Sequence, residues 1–263
     1  MIDFKSKKSY GINDLTEIVR LLRGEGGCPW DRVQTHESIR RNFLEESYEV
    51  VEAIDEKNPA HLQEELGDVL LQVVFHSLME EEVGHFNLDD VADGICKKLI
   101  FRHPHVFSDV SVKDADEVLV NWEALKREEK SQDTYADSVD AVARSLPALW
   151  RAEKIQKKAK KAGFDWDDID GALAKVREET DEFTQAVREG SNMEEELGDL
   201  LFAAVNAARF AQIDPEVALG KACDKFSARF RRTEELAKGK LDTMKLPEMD
   251  KLWDRAKQDL KET

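Results

Sequence analysis

One carboxylate pattern occurs twice in the chain and limits the folds open to it. Glu46-x-x-Glu49 is followed by Glu65-Leu-Gly-Asp68, and Glu179-x-x-Glu182 by Glu196-Leu-Gly-Asp199. Within each copy the acids pair at i,i+3, the spacing that puts two side chains on one face of a helix. Each copy therefore calls for two neighbouring helices that turn their acids toward one cleft. At an effective dielectric near 20, each close pair of like charges costs about 4 kcal/mol. Such a cluster either splays into water or is built around hard cations.

The duplication goes beyond the acids. Glu64-Glu-Leu-Gly-Asp68 recurs as Glu195-Glu-Leu-Gly-Asp199, and Trp122-x-x-x-Lys126 as Trp253-x-x-x-Lys257, both at an offset of 131. Glu46 and Glu49 map onto Glu179 and Glu182 at 133, and Gly27-x-x-Trp30-Asp31 onto Gly163-x-x-Trp166-Asp167 at 136. Lys98-x-x-x-Arg102 maps onto Lys225-x-x-x-Arg229 at 127. Matches in one order with a slowly drifting offset mark a tandem duplication of a domain-sized unit, not a solenoid. A chain of 263 residues gives each copy enough length for its own core.

Between the motifs the pattern is helical. Asn13 is expected to cap a helix whose Leu15, Ile18, Val19 and Leu22 share a face, ended by Gly24-Glu-Gly-Gly27. Ser145 and Pro147 open its counterpart, which runs through Leu149, Ala152, Ile155 and Ala159 to Gly163. Lys57-Asn-Pro59 and Gly190-Ser-Asn192 separate the acidic pairs in the two copies. No long alternating run bounded by turn signals suggests a strand. The predicted class is all-α, two tandem helical bundles: residues 1–130, a polar linker at 131–144, and residues 145–263. After each aspartate the chain turns apolar, through Val69, Leu70, Leu71, Val73, Val74 and Phe75 and through Leu200 to Val205. Asp68 and Asp199 thus stand at the edge of segments expected to be buried, where an unpaired charge is costly.

The net charge of −17 repels a nucleic-acid backbone and argues against a DNA- or RNA-binding role. Cys28, Cys96 and Cys223 are odd in number and form no C-x-x-C pair, so reduced thiols in a cytoplasmic protein are expected. Neither a signal peptide nor a membrane span is expected. Oxygen-only ligands favour Mg²⁺, with Mn²⁺ as a substitute, over zinc. Glu82-x-x-His85 is the single fragment of a di-iron pattern, and Gly84 interrupts it. Cations that face phosphates are the next requirement: Lys225 and Arg229 lie four apart beside Phe226 and Phe230, and Trp253 and Lys257 four apart on the last helix. His103 and His105 flank Pro104 and read as a turn whose imidazoles bond backbone.

Taken in order, Gly27-Cys-Pro-Trp-Asp31 with Gln34-Thr-His36, the two acidic sets, and Arg102-His-Pro-His-Val-Phe107 resemble the bacterial MazG family across nearly the whole chain. The resemblance implies an all-α, magnesium-dependent nucleoside triphosphate pyrophosphohydrolase that releases a monophosphate and diphosphate. It also implies a homodimer in which each bundle is completed by its partner. Carried onto this chain, it makes Glu179, Glu182, Glu196 and Asp199 the metal ligands. Lys225 and Arg229 become phosphate contacts, and Trp253 and Lys257 a closure over the nucleotide.

The two copies are not equivalent. Seven residues after Asp199, on the same helix face, stands Asn206; the same step from Asp68 reaches Phe75. Asn206 can support a ligand or touch substrate. Pro104 interrupts the first copy where the second runs Arg229-Phe-Arg-Arg232. The C-terminal copy is therefore expected to carry catalysis, with Glu46, Glu49, Glu65 and Asp68 as a second, weaker metal site. A narrower dUTP- or dCTP-type diphosphatase is a second enzymatic reading. A metal-stabilised regulatory or adaptor bundle without turnover is the reading from another class.

Overall fold

The computed structural model describes residues 4–129 and 134–260. The chain divides into two compact units, Met1–Lys126 and Arg127–Thr263. The first contains α1 (Ile12–Arg23), α2 (Pro29–Arg32), α3 (His36–Asp55), α4 (Pro59–Glu82), α5 (Leu88–Arg102) and α6 (Pro104–Phe107). Helix α7 (Ala115–Glu129) crosses the boundary. The second contains α8 (Tyr135–Asp140), α9 (Ala148–Lys161), α10 (Ile169–Glu189), α11 (Met193–Phe210), α12 (Pro215–Ala237) and α13 (Leu246–Asp259). No strand occurs among the described residues, and the fold is all-α as the sequence predicts.

Local chemistry sets most of the helix ends. Asn58 caps α4 by accepting from the Ala60 and His61 N–H groups, with Pro59 pre-set in the first turn. Asp168 does the same for α10 through Asp170 and Gly171, and Gly190 ends that helix with a left-handed φ of 69°. The proline after His103 ends α5, as expected. Two expectations need correction. Helix α1 starts at Ile12, not after Asn13, because the Asp14 carboxylate accepts the Gly11 N–H at 2.9 Å and fixes Gly11 as the cap. The span expected as a polar linker contains α8, capped by Thr134 and packed on α9; its residues 131–133 lie outside those described.

In the first unit α1 and α3 pack on α4, and Val19, Ile39, Val74, Phe75, Leu78 and Met79 form the core. The second unit repeats the scheme: α9 and α10 pack on α11, beside a hairpin of α12 and α13. Its buried apolar residues are mostly small: Ala172, Ala186, Ala203, Val205, Ala237 and Ala256. The apolar stretches after Asp68 and Asp199 are thus only partly buried. Leu66 and Leu70 on α4 and Leu197 and Leu201 on α11 are exposed, and they hold matching positions at the repeat offset of 131.

Candidate active site

Helices α10 and α11 form the tightest pair of the second unit, and their acids meet. Glu179, Glu196 and Asp199 each offer a carboxylate oxygen within 4.8 Å of the others. Glu179 is the buried member, Glu196 is half-buried and Asp199 exposed. One Glu179 oxygen takes the Lys175 ammonium at 2.5 Å; the other is buried and no donor reaches it. Lys175 also pairs with Glu178, and these bonds push its ammonium above the usual lysine range. Glu182 stands one turn along, outside the tight trio. Its carboxyl shares a hydrogen bond with Glu179, and this, with burial and the Glu179 charge, raises its pKa above the ordinary carboxylate range. Carboxylate oxygens gathered this closely, around a buried oxygen with no donor, are the donor set that a hard divalent cation takes.

The first unit repeats the cluster with a different trio: Glu46, Glu49 and Glu65. Burial raises Glu46 first, followed by the charges of Asp68, Glu49 and Glu65. Burial likewise raises Glu65, with Glu49 next. Asp68 contributes field to the cluster without joining the trio. His61 is bonded to Glu56 at 2.8 Å and reaches Glu65 at 3.2 Å. That gives this cluster an imidazole neighbour on α4, where the other has the Lys175 ammonium on α10.

The candidate cations form a group of their own. Lys225 and Arg229 stand on α12 and Trp253 and Lys257 on α13, and Phe226 packs on Trp253 at 5.1 Å. Neither Lys225 nor Arg229 has an ion-pair partner among the described residues, whereas Lys257 pairs with Asp254 at 3.0 Å. The first unit keeps the arrangement in another form, with the Arg102 guanidinium 5.6 Å from the Trp122 ring. His103 bonds the Leu99 carbonyl at 2.6 Å, which agrees with the turn reading. Glu82 and His85 turn to different partners, Arg23 and Glu80.

Asn206 lies two turns along α11 from Asp199, and its Oδ1 accepts from Arg209 Nε at 3.0 Å and Nη2 at 2.6 Å. Arg209 also pairs with Asp165 and so ties the loop after α9 to α11. Between them lies a cavity of about 360 Å³, lined by Ile155, Gln156, Ala159, Gly163 to Trp166, Phe202 and Asn206. Gly163 turns the chain out of α9 at φ +82°, and Gly171 admits the Trp166 ring, 3.0 Å from where its Cβ would stand. At matching positions of the first unit the space is filled. Phe75 takes the place of Asn206, and Arg23, in the place of Ala159, lies 5.0 Å over the Phe75 ring. Sequence reasoning missed Gln156, Asp165 and Arg209, whose partners are about 40 or more residues away or show no motif. It also missed a group in which His36 contacts His76 and Glu80 at 2.7 and 2.6 Å and Glu80 contacts His85.

Comparison with known proteins identifies the family. Residues 34–107 and 169–234, which hold both acidic sets, match the MazG nucleotide pyrophosphohydrolase domain. The chain is 45% identical over 250 residues to a nucleoside triphosphate pyrophosphohydrolase of Escherichia coli, covering 92% of this chain and 95% of that one. It is 43% identical over 255 residues to the nucleoside triphosphate pyrophosphohydrolase/pyrophosphatase MazG of Thermotoga maritima, covering 95% and 98%. An uncharacterized Bacillus subtilis protein, YabN, is 50% identical over 247 residues, which span 92% of this chain and 50% of YabN. This chain belongs to the MazG nucleotide pyrophosphohydrolase family.

Proposed function

We propose that the chain is a Mg²⁺-dependent nucleoside triphosphate pyrophosphohydrolase whose turnover resides in the C-terminal copy, residues 145–263. The observation that carries this is the oxygen trio Glu179, Glu196 and Asp199 around a buried carboxylate oxygen with no donor. The names of the Escherichia coli and Thermotoga maritima relatives support the substrate class. Glu179, Glu182, Glu196 and Asp199 would hold the metal, Mg²⁺ or Mn²⁺ by the hardness of the donors. When bound, it supplies charge compensation for the phosphates and a water of lowered pKa.

The chain's own residues do the remainder. Water adds across the bond between the α- and β-phosphates; one product is the nucleoside monophosphate, the other diphosphate. A glutamate of the acidic set takes the water's proton, and Lys225 and Arg229 hold phosphate oxygens. Trp253 and Lys257 close over the nucleotide. Positioning and electrostatics suffice because diphosphate leaves readily once its charge is met. The cation hairpin and the acidic pair stand on separate elements, and both units expose matched leucine rows. We therefore infer a homodimer in which a second copy covers these rows. The free cysteines fit a reducing cytoplasm. Among the described residues no helix is long and apolar enough to cross a membrane.

The test incubates the protein with a panel of ribo- and deoxyribonucleoside triphosphates in Mg²⁺ and then in chelator. Monophosphate plus diphosphate, lost on chelation, is expected. Diphosphate nucleotides plus orthophosphate would refute the bond assignment, and no product from the whole panel would favour an adaptor. Glu179→Ala should abolish turnover while Glu46→Ala leaves most of it; the opposite result reassigns catalysis to the first unit.

A further inference from the structure

All six histidines of the chain lie in the first unit, and three of them join one hydrogen-bonded group that the acidic clusters do not use. His36, the first residue of α3, meets His76 of α4 through the two Nδ1 atoms at 2.7 Å, with the rings stacked at 5.0 Å and 6°. Its Nε2 meets Glu80 Oε1 at 2.6 Å, and Glu80 Oε2 meets His85 Nδ1 at 2.7 Å. An ionised carboxylate only accepts, so His36 and His85 both donate to Glu80. Between the two Nδ1 atoms there is then room for one hydrogen. Either His76 donates to a neutral His36, or a charged His36 donates to His76. The bond survives with no extra proton on the pair and with one. A second sets two N–H donors face to face, which removes the bond and adds like-charge repulsion. His85 donates to Glu80 whether charged or neutral, so the sensitive contact is His36–His76.

The group fastens one segment. Residues 24–35 leave α1, and both ends of the segment are tied to the last turns of α4. Arg23 bonds Glu82 and the carbonyls of Asp31 and Gln34; His36 bonds His76 and Glu80. Glu80 and Glu82 are held below the usual carboxylate range, first by their bonds to His85 and to Arg23, so in mildly acid solution the group that changes is an imidazole. The other charges near the pair are Glu37 and Arg40 on α3 and, from α1, Arg20, which is engaged by Glu17 and Glu81 and shares a hollow with Asp89 of α5. The second unit has no counterpart: at the repeat offsets of 133 and 131, His36, His76 and Glu80 correspond to Ile169, Ala207 and Ala211. We propose that the His36–His76 pair is a pH-operated latch of the first unit, which holds the start of α3 and the segment before it against α4 while one hydrogen lies between the rings, and releases them when both rings are charged. Ile39, in the core, keeps the rest of α3 in place, so release is confined to the segment and the first helical turn. Burial, and after it the His36 charge, holds His76 below 6.5. The latch is therefore fully held above that pH and weakens as the pH falls below it.

Hydrogen exchange resolved to single amides tests this on the whole chain, in steps from about pH 7.5 to about pH 5 and corrected for the intrinsic pH dependence of exchange. Val33, bonded to the Trp30 carbonyl, and Ser38, bonded to Thr35 Oγ1, report on the segment. Gly171, at the start of α10, is the reference, because the second unit has no histidine. Protection of Val33 and Ser38 should fall about 10-fold across the series, the scale of one hydrogen bond to a charged group, while Gly171 stays level. His76→Asn keeps an amide where Nδ1 stands and cannot titrate, so protection should stay flat. His76→Ala should show at the neutral end the low protection that the wild type reaches at the acid end. A wild type in which Val33 and Ser38 follow Gly171, or an asparagine variant with the wild-type response, would overturn the latch. Should the variants fail to fold, imidazole ¹⁵N shifts of the wild type take their place. Loss of protection that coincides with the second proton on the pair supports the proposal; two charged rings with Ser38 still protected refute it.

Discussion

Asn206→Phe transplants into the second unit the residue that closes the first. The phenyl ring would enter a cavity of about 360 Å³ from the position that Phe75 holds between α1 and α4. Two losses follow. A nucleotide base seated in the cavity would lose its stacking, worth about 1–3 kcal/mol by analogy with base–aromatic contacts. It also loses the amide donor at its edge, worth about 0.5–1.5 kcal/mol. Together these make about 1.5–4.5 kcal/mol, or roughly 10- to 2000-fold in kcat/KM. The loss should fall mainly on KM, because the acids and the phosphate contacts are untouched.

Asn206→Ala is the companion variant. It removes the same amide, and the same acceptor of Arg209, but leaves the space open. Arg209 keeps Asp165 in both variants, so the difference between them isolates the filling of the cavity. Steady-state release of diphosphate from ATP in saturating Mg²⁺ measures both, and a thermal melt checks that each is folded. The expected order of kcat/KM is wild type, then alanine about 3- to 10-fold lower, then phenylalanine lower by at least a further 5-fold. Equal activity of the two variants, or a phenylalanine variant with wild-type KM, would show that the substrate does not use the cavity.

Other consequences are open to measurement. Phe75→Ala should destabilise the first unit by about 3–5 kcal/mol, read in urea titration as an earlier first transition; a change under 1 kcal/mol would mean that Phe75 is no core anchor. Mg²⁺ at 100 times its Kd should stabilise the folded chain by about 2.7 kcal/mol, and Glu179→Gln should reduce the melting shift; a shift unaltered in that variant would place the ion elsewhere. Burial, helped by the His36 charge, holds His76 below its ordinary value of 6.5, so the unfolded chain takes up the proton first. Stability should therefore be full above pH 6.5, fall as the pH drops below it, and fall less in His76→Gln; a chain that gains stability there would contradict the sign. Glu80, lowered first by its bond to His85 and then by His36, loses its contribution in the same direction at lower pH.

What the sequence made legible was periodic or punctuated. The i,i+3 acids, the Asn58-Pro59 break, Gly190 and Pro104 each act within a turn or two of their own position, so spacing alone located them. Where the outcome depended on a competition, local rules failed. Asn13 lost the cap of α1 to Gly11 because Asp14 reached back to the backbone first. Long-range pairings were out of reach: Gln156 meets Phe202 across 46 residues, and Arg209 meets Asp165 across 44, with no motif to announce either. The exposed leucine rows were misjudged for another reason. An apolar run predicts that a face is covered, but not whether the cover comes from the same chain.

The contrast between Phe75 and Asn206 is the point at which sequence and structure inform each other most. In the sequence it is one unmatched position between two copies that keep all four acids. In the structure each residue belongs to a set: Phe75 comes with Arg23 and its anchor to Glu82, Asn206 with Arg209 and Asp165. A single exchange would take from Arg23 its ring contact, or from Arg209 its amide acceptor, while the ion pairs of each remain. Opening the first unit's place therefore also disturbs Arg23, and closing the second also disturbs Arg209. That coupling explains how two copies keep the same four acids while the place beside α11 stays open and its match beside α4 is filled.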